Sequence, residues 1–280
     1  GAITWNLATW YFGLPSSSSH ALIGGVVGAA FAAEGAQAVF GDGLIEKVML
    51  PALIAPILAL VTAGLAILIC YRIIGRQHPG TVTRGFRLGQ IVSGSLFSLS
   101  HGTNDAQKTM GIIALALIAS GHLQSGADPP TWVVVSAATA IALGTYVGGW
   151  RIIKTMGTRI IKMDPAQGFA SQTVGSAVIL SASHVGFPLS TTHVISGAIM
   201  GAGAAKRFSA VRWGVAGNIV VAWVLTTPAA AVVGGVTYGV TRLFGDGAAG
   251  PVIVSLGVVA LLVWIFGRRL VGGRTLTAEG

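Results

Sequence analysis

Two hydroxyl-rich segments carry the residues best suited to chemistry in this chain. They are Gly13-Leu14-Pro15-Ser16-Ser17-Ser18-Ser19-His20 and, 173 positions later, Gly186-Phe187-Pro188-Leu189-Ser190-Thr191-Thr192-His193. The match runs on through Gly24/Gly197 and Gly28/Gly201. A third segment, Leu99-Ser100-His101-Gly102-Thr103-Asn104-Asp105-Ala106-Gln107-Lys108-Thr109, sets a histidine, an aspartate and a lysine inside an apolar stretch. A duplicated helix start offers hydroxyls, free backbone N–H groups and the positive end of a helix dipole, which together suit a small tetrahedral oxyanion. Asp105 would repel such an anion. Two unit charges ~5 Å apart at an effective dielectric of ~20 oppose each other by roughly 3 kcal/mol, so a cation or proton has to reconcile them. Asn104 and Asp105 are suited to Na⁺, or Asp105 to H⁺. Anion and cation would then bind interdependently, the thermodynamic basis of symport. The bland reading gives Ser and Thr ordinary N-cap roles and pairs Asp105 with Lys108.

The elements that must position these groups are membrane helices. Hydrophobic residues make up 53% of the 280-residue chain and charged residues 9%. Uncharged runs at Val48–Tyr71, Pro129–Trp150, Trp213–Thr241 and Gly247–Gly267 contain 24, 22, 29 and 21 residues, against the ~20 needed to cross a bilayer. Strand-like alternation is absent, so an all-α integral membrane protein is expected rather than a barrel. Forty-one glycines fit helices packed through small residues. The net charge of +9 is spread over short basic clusters between apolar runs, an orientation signal rather than a nucleic-acid surface. Cys70 is the only cysteine, which leaves neither a disulfide nor a cysteine metal site. Trp5, Trp10, Trp132, Trp150 and Trp264 fall mostly near span ends, as interfacial anchors do.

Loop charges give an orientation. Residues 34–47 carry three acids and one base and are placed outside. Arg72, Arg76, Arg84 and Arg87 are placed in the cytoplasm, as are Arg151, Lys154, Arg159 and Lys162, then Lys206, Arg207 and Arg212, then Arg268, Arg269 and Arg274. Between Asp164 and Lys206 lie 41 uncharged residues with both ends cytoplasmic. They must enter and leave by one face, turning near Pro188. The first motif's following loop is outside, so the two hairpins enter from opposite faces, the mark of an inverted-topology repeat. Short, glycine-containing second legs favour half-span, re-entrant hairpins meeting near the midplane over full spans. The arms 88–100 and 104–120 suit a transmembrane helix broken at Gly102. The division expected is 1–75 (C-terminal part of the first repeat), 76–84 (cytoplasmic connection) and 85–280 (second repeat).

The two Pro-x-Ser/Thr-His motifs and the His101-Gly102-Thr103-Asn104-Asp105-Ala106-Gln107-Lys108-Thr109-Met110-Gly111 block together resemble the PiT family of inorganic phosphate transporters, above all its bacterial low-affinity branch. The resemblance implies phosphate uptake, free or as a metal–phosphate complex, driven by H⁺ or Na⁺ symport in the cell membrane. It also implies a multi-pass inverted-repeat fold and commonly a homodimer, with no cofactor. Carried over by position, the family's Asn-Asp signature falls on Asn104 and Asp105, and its hydroxyl clusters on Ser17, Ser18 and Ser19 and on Ser190, Thr191 and Thr192. Family members carry the Gly-x-Asn-Asp signature twice and this chain once. A fragment of a longer transporter is therefore expected, and a transport-incompetent piece is one of the alternatives.

His20, His101, His193 and Lys108 are accessory candidates. His20 and His193 fit the site or simple packing equally, and Lys108 could neutralise Asp105 or the anion. His184 reads as a core residue, and His78 and His122 as loop residues. No His-Glu-x-x-His spacing exists, and consecutive Ser-Ser-Ser-His side chains diverge, so neither a metalloprotease nor a Ser/His hydrolase is expected. The remaining rival is a permease for another oxyanion such as sulfate.

Overall fold

The structure, a computed structural model, describes residues 1–187, 189–245 and 247–271. The turn residue Pro188 and the basic Arg274 lie outside the described residues. Among those described, every regular element is a helix: α1 (Ala2–Phe12), α2 (Ser18–Glu34), α3 (Gly41–Leu44), α4 (Leu50–Ile74), α5 (Pro79–Ala119), α6 (Thr131–Val147), α7 (Trp150–Lys154), α8 (Pro165–His184), α9 (Thr191–Lys206), α10 (Trp213–Arg242) and α11 (Ala249–Val271). A π-helical turn at Ile45–Met49 joins α3 to α4, making one helical stretch Gly41–Ile74. This stretch and Trp213–Arg242 are each long and apolar enough to cross a membrane. The expected span at 129–150 is bent instead, by 65° between Thr131–Tyr146 and Trp150–Arg159. Its break falls at Gly148, whose φ of 85° is the left-handed conformation that ends α6. The last apolar run forms a shorter apolar helix over Ala249–Trp264 within α11.

Small side chains rather than large ones make the interior. The buried face of α4 is Ala55, Ala59, Ala63 and Ile67, one residue per helical turn, while Leu53, Ile54, Ile57, Leu58, Val61 and Leu65 point outward and are exposed. In water that pattern would be inverted. In lipid it is the expected one, because apolar side chains cost nothing outside and small ones allow close helix approach.

The two motif-bearing helices are held in the same way. On α2, Gly24 and Gly28 lie against the backbone of α10, where an added Cβ would fall 2.4 Å from Thr227 O and 1.9 Å from Ala231 O. On α9, Gly197 and Gly201 lie against α4, where the same atom would fall 2.2 Å from Pro56 O and 1.9 Å from Leu60 O. Each partner helix has an internal proline at the contact, Pro228 in α10 and Pro56 in α4. Each helix that follows one hairpin thus packs against the second leg of the other. Where the two legs meet, His20 and His193, equivalent by the 173-residue offset, stand with ring centroids 4.8 Å apart.

α5 corrects one expectation. It is a single unbroken α-helix of 41 residues, with His101, Gly102 and Thr103 all helical. The polar run does not need an unwound backbone. Ser100, Thr103 and Thr109 donate their hydroxyls to carbonyls one turn back in the same helix, and the charged groups find partners on neighbouring helices. Along its first half α5 packs on α8, with Ser93 donating to Gln172 Oε1 at 2.8 Å and Phe97 filling the space beside Gly175.

The second hairpin is anchored by a capping box at Asp164. Its carboxylate accepts the Gln167 N–H at 2.8 Å, and the Gln167 side chain accepts the Asp164 N–H at 3.0 Å. Lys206 at the far end of α9 closes the base, 3.0 Å from the same carboxylate, and Tyr71 donates to it from α4. Partial burial opposes ionisation of Asp164, but the Gln167 N–H, Lys206 and Tyr71 outweigh it and hold the carboxyl below its ordinary 3.8.

Two outcomes follow for thermal unfolding of the protein in detergent. Gly201→Ala lowers the midpoint, by the ~1–3 kcal/mol typical of overpacking. Gly102→Ala, where nothing lies within 4 Å of the new Cβ, is neutral or stabilising by up to about 1 kcal/mol. Because the Asp164 carboxyl is depressed in the folded state, its contribution is present above pH 3.8 and lost as the pH falls through the folded value. Asp164→Asn removes that part of the acid sensitivity, and retention of the full wild-type slope would contradict the assignment.

Candidate functional site

The hairpin tips become N-terminal helix starts because each has a serine where the chain turns helical. Ser17 is the N-cap of α2 and accepts the His20 N–H at 3.1 Å, while Ser190 is the N-cap of α9 and accepts the His193 N–H at 3.3 Å. The first intrahelical bonds run from Ala21 and Val194 back to the carbonyls of Ser17 and Ser190. The backbone N–H groups of Ser18, Ser19, Thr191 and Thr192 therefore have no acceptor within their helices. Two of the six predicted hydroxyls, Ser17 and Ser190, are spent on capping. The other four sit on the first turns, at the positive ends of the helix dipoles.

Both tips converge on two successive turns of α5, from His101 to Lys108. From the first tip, Ser18 Oγ lies 3.4 Å from Asp105 Oδ2, and Ser19 Oγ accepts Lys108 Nζ at 2.6 Å. From the second, the Leu189 carbonyl accepts both Lys108 Nζ at 2.6 Å and Asn104 Nδ2 at 3.1 Å, and Thr191 Oγ1 meets His101 Nδ1 at 3.0 Å. Within α5 itself, Lys108 Nζ is 3.3 Å from Asp105 Oδ1 and His101 Nδ1 is 3.7 Å from Asp105 Oδ2. Lys108 and Asp105 are well covered, with side chains 13% and 18% exposed, so their pairing is only partly screened by solvent. Ser18 is exposed and Thr192 half-buried, leaving them reachable from outside the cluster.

The Lys108 ammonium pairs with Asp105 and binds one oxygen from each tip, Ser19 Oγ and Leu189 O. Among the described residues, no group of three or more His, Cys, Asp or Glu is placed to hold a metal ion. Two surface cavities, about 540 Å³ along His78–Leu88 and about 380 Å³ among Trp5, Phe12, Asn218 and Leu225, lie away from this cluster. The first is bounded by a single helix and the second is mostly apolar.

His20 and His193 sit outside the charged turn and have a different use. Pro56 has no N–H, so the Ala52 carbonyl one turn earlier lacks its helical donor. His193 Nδ1 lies 3.4 Å from that oxygen, and its ring stacks on Trp223 with centroids 4.1 Å apart. A carbonyl only accepts, so Nδ1 carries the proton and the buried Nε2 faces no partner among the described residues. Trp223, in turn, donates to the Pro15 carbonyl of the first tip at 3.0 Å. Sequence reasoning missed Trp223, Ser183 (3.5 Å from Asn104 Oδ1) and the Leu189 carbonyl. A tryptophan in the middle of the uncharged run 213–241, far from either interface, was the one available signal.

These features define a helical membrane protein whose polar centre is built from two serine-capped hairpins and a charged turn. The comparisons agree. The model of the phosphate transporter family matches residues 1–83 and 75–234, and the chain belongs to that family. A probable low-affinity inorganic phosphate transporter of Mycobacterium tuberculosis is 48% identical over 272 residues, covering 96% of this chain and 65% of that protein. One of the same description from Rhizobium meliloti is 54% identical over 238 residues, covering 85% and 71%. The chain thus spans about two thirds of the length of such relatives. These relatives are named as transporters, not enzymes. A solved structure titled "The sodium-dependent phosphate transporter" shares the fold, with a TM-score of 0.73, 23% identity, and coverage of 86% of this chain and 77% of that one.

The second tip should loosen when Asn104 is truncated. Asn104→Ala removes one of two donors to Leu189 O, and a net hydrogen bond of about 0.5–1.5 kcal/mol corresponds to roughly a 2- to 10-fold change. Amide exchange over residues 185–190 is expected to rise by that factor, with residues 165–175 unchanged. An unaltered tip would remove Asn104 from the positioning role.

Proposed function

We propose that the protein is a secondary transporter that carries inorganic phosphate across the cell membrane together with a cation, H⁺ or Na⁺. The observation that carries this reading is the convergence of two capped helix N-termini on the Asp105–Lys108 pair. Four backbone N–H groups without helical acceptors, the hydroxyls of Ser18, Ser19, Thr191 and Thr192, and two dipole ends supply the donors for a tetrahedral oxyanion. Lys108 offsets the Asp105 charge beside it. Asp105, with His101 and Asn104 adjacent, is where a coupling cation or proton adds favourably once the anion is present. The relatives' names supply the substrate, phosphate, and a metal–phosphate complex presents the same oxygens.

In this reading the hairpins are re-entrant and enter from opposite faces of the bilayer. The exchanged packing of α2 on α10 and α9 on α4 supports an inverted repeat, as does the meeting of the equivalent residues His20 and His193. The tips reach α5 well inside its length, which suits a midplane site with alternating access as the halves rock. The protein is multi-pass, lies in the lipid bilayer and works as a homodimer.

Labelled phosphate uptake by the whole protein in vesicles, under imposed H⁺ and Na⁺ gradients and with sulfate as competitor, tests the proposal. Uptake is expected to follow one cation gradient and to resist sulfate, because monohydrogen phosphate donates a hydrogen bond and sulfate does not. Asp105→Asn should abolish gradient dependence, and Thr192→Ala should raise KM several-fold, as loss of one hydrogen bond of about 1 kcal/mol does. Gradient-driven uptake intact in Asp105→Asn would overturn the coupling role, and full competition by sulfate would move the substrate.

A further inference from the structure

We propose that the Lys108 ammonium occupies a monovalent-cation site, so that this transporter carries its own tethered cation where a Na⁺ ion would otherwise bind. This rests on the transport reading above and narrows it. The three acceptors of Lys108 Nζ are a hydroxyl, Ser19 Oγ at 2.6 Å, a main-chain carbonyl, Leu189 O at 2.6 Å, and a carboxylate, Asp105 Oδ1 at 3.3 Å. An ammonium has three protons to donate, and here each has an oxygen. Carbonyls exposed where the backbone leaves a helix, joined by a carboxylate and a hydroxyl, are also the ligands that hold Na⁺ at the broken helices of transporters. The oxygens come from three separate elements, the starts of α2 and α9 and the middle of α5, so whichever cation sits among them ties both tips to α5.

Among the described residues a single carboxylate, Asp105, pairs with Lys108. With Lys108 in place, the Asp105 charge is already balanced, and a second cation would meet the ammonium at close range. Na⁺ binding here is therefore excluded in the native chain. It becomes available when the ammonium is removed, because Asp105, Leu189 O and Ser19 are all left without their cation. A largely covered carboxylate left unpaired is neutralised by a proton or a counter-ion, and Na⁺ with these oxygens fits the second case.

The test reads binding separately from transport. The whole protein and its Lys108→Ala and Lys108→Met variants are unfolded thermally in equimolar NaCl and choline chloride, and phosphate uptake is measured in the same two salts. The native protein should show the same midpoint and uptake in both. Lys108→Ala should gain a midpoint that climbs with the logarithm of Na⁺ concentration and uptake that needs Na⁺. Ethylammonium, the amputated end of the side chain, should compete with Na⁺ for that stabilisation, and Lys108→Met, which fills the space, should show a weaker Na⁺ response. Should Lys108→Ala not survive purification in choline, recovery by Na⁺ or ethylammonium supports the proposal. Failure of both to recover it, with Lys108→Met folded and Na⁺-insensitive, overturns it. Saturable Na⁺ stabilisation of the native protein that persists in Lys108→Ala also overturns it. Absence of phosphate uptake in every salt would instead strike the transport reading, since the midpoints are measured without it.

Discussion

Everything in this fold hangs on how closely two backbones can approach. A bilayer gives apolar side chains no reason to leave lipid, so helices must be held by dispersion contact and by whatever polar bonds their proximity allows. At Gly24 and Gly28 on α10, and at Gly197 and Gly201 on α4, the contact is backbone on backbone, with no room for even a methyl group. These four positions set the depth and rotation of α2 and α9. The serine caps at their ends, and hence the place where the tips meet α5, follow from that seating.

The seating also explains the polar centre. Once the tips are fixed, the Leu189 carbonyl and the Ser19 hydroxyl are presented to α5 at hydrogen-bonding range. A carboxylate alone at that point would be an uncompensated charge in a poorly hydrated place. Lys108, one turn on from Asp105, balances it from the same helix. Helical spacing of three residues, not a long-range contact, is what makes the pair dependable.

Much of this was legible in the residues. The repeated Pro-x-Ser-Ser/Thr-Ser/Thr-His gave both helix starts, because N-cap chemistry is local and needs no knowledge of the partner. The run Asn104–Lys108 pointed to side chains that must find partners, because charge inside apolar sequence is costly. What failed was the inference that this cost breaks the helix at Gly102. Composition shows that polar groups need partners, but not whether those partners come from the helix's own unwound backbone or from neighbours. Here Ser19, Leu189 and Thr191 provide them, and the helix runs on. The role of Ser17 and Ser190 as caps, and not as free hydroxyls, likewise depended on which member of each cluster sits at the boundary. His193 could not be read at all without Pro56, since only their proximity shows a carbonyl lacking its donor and an imidazole that serves it.

The contact between His20 and His193 has a kinematic meaning. In the proposed inverted repeat, a residue that touches its own counterpart lies on the axis relating the two halves, and points on an axis of rotation are displaced least. Any exchange of conformations between the halves leaves that contact looking as it did before, while contacts off the axis trade places. The imidazole pair is in that sense a bearing. In the proposed rocking of the halves the tips would turn about it, held by Trp223, which is stacked on one ring and bonded to the opposite tip.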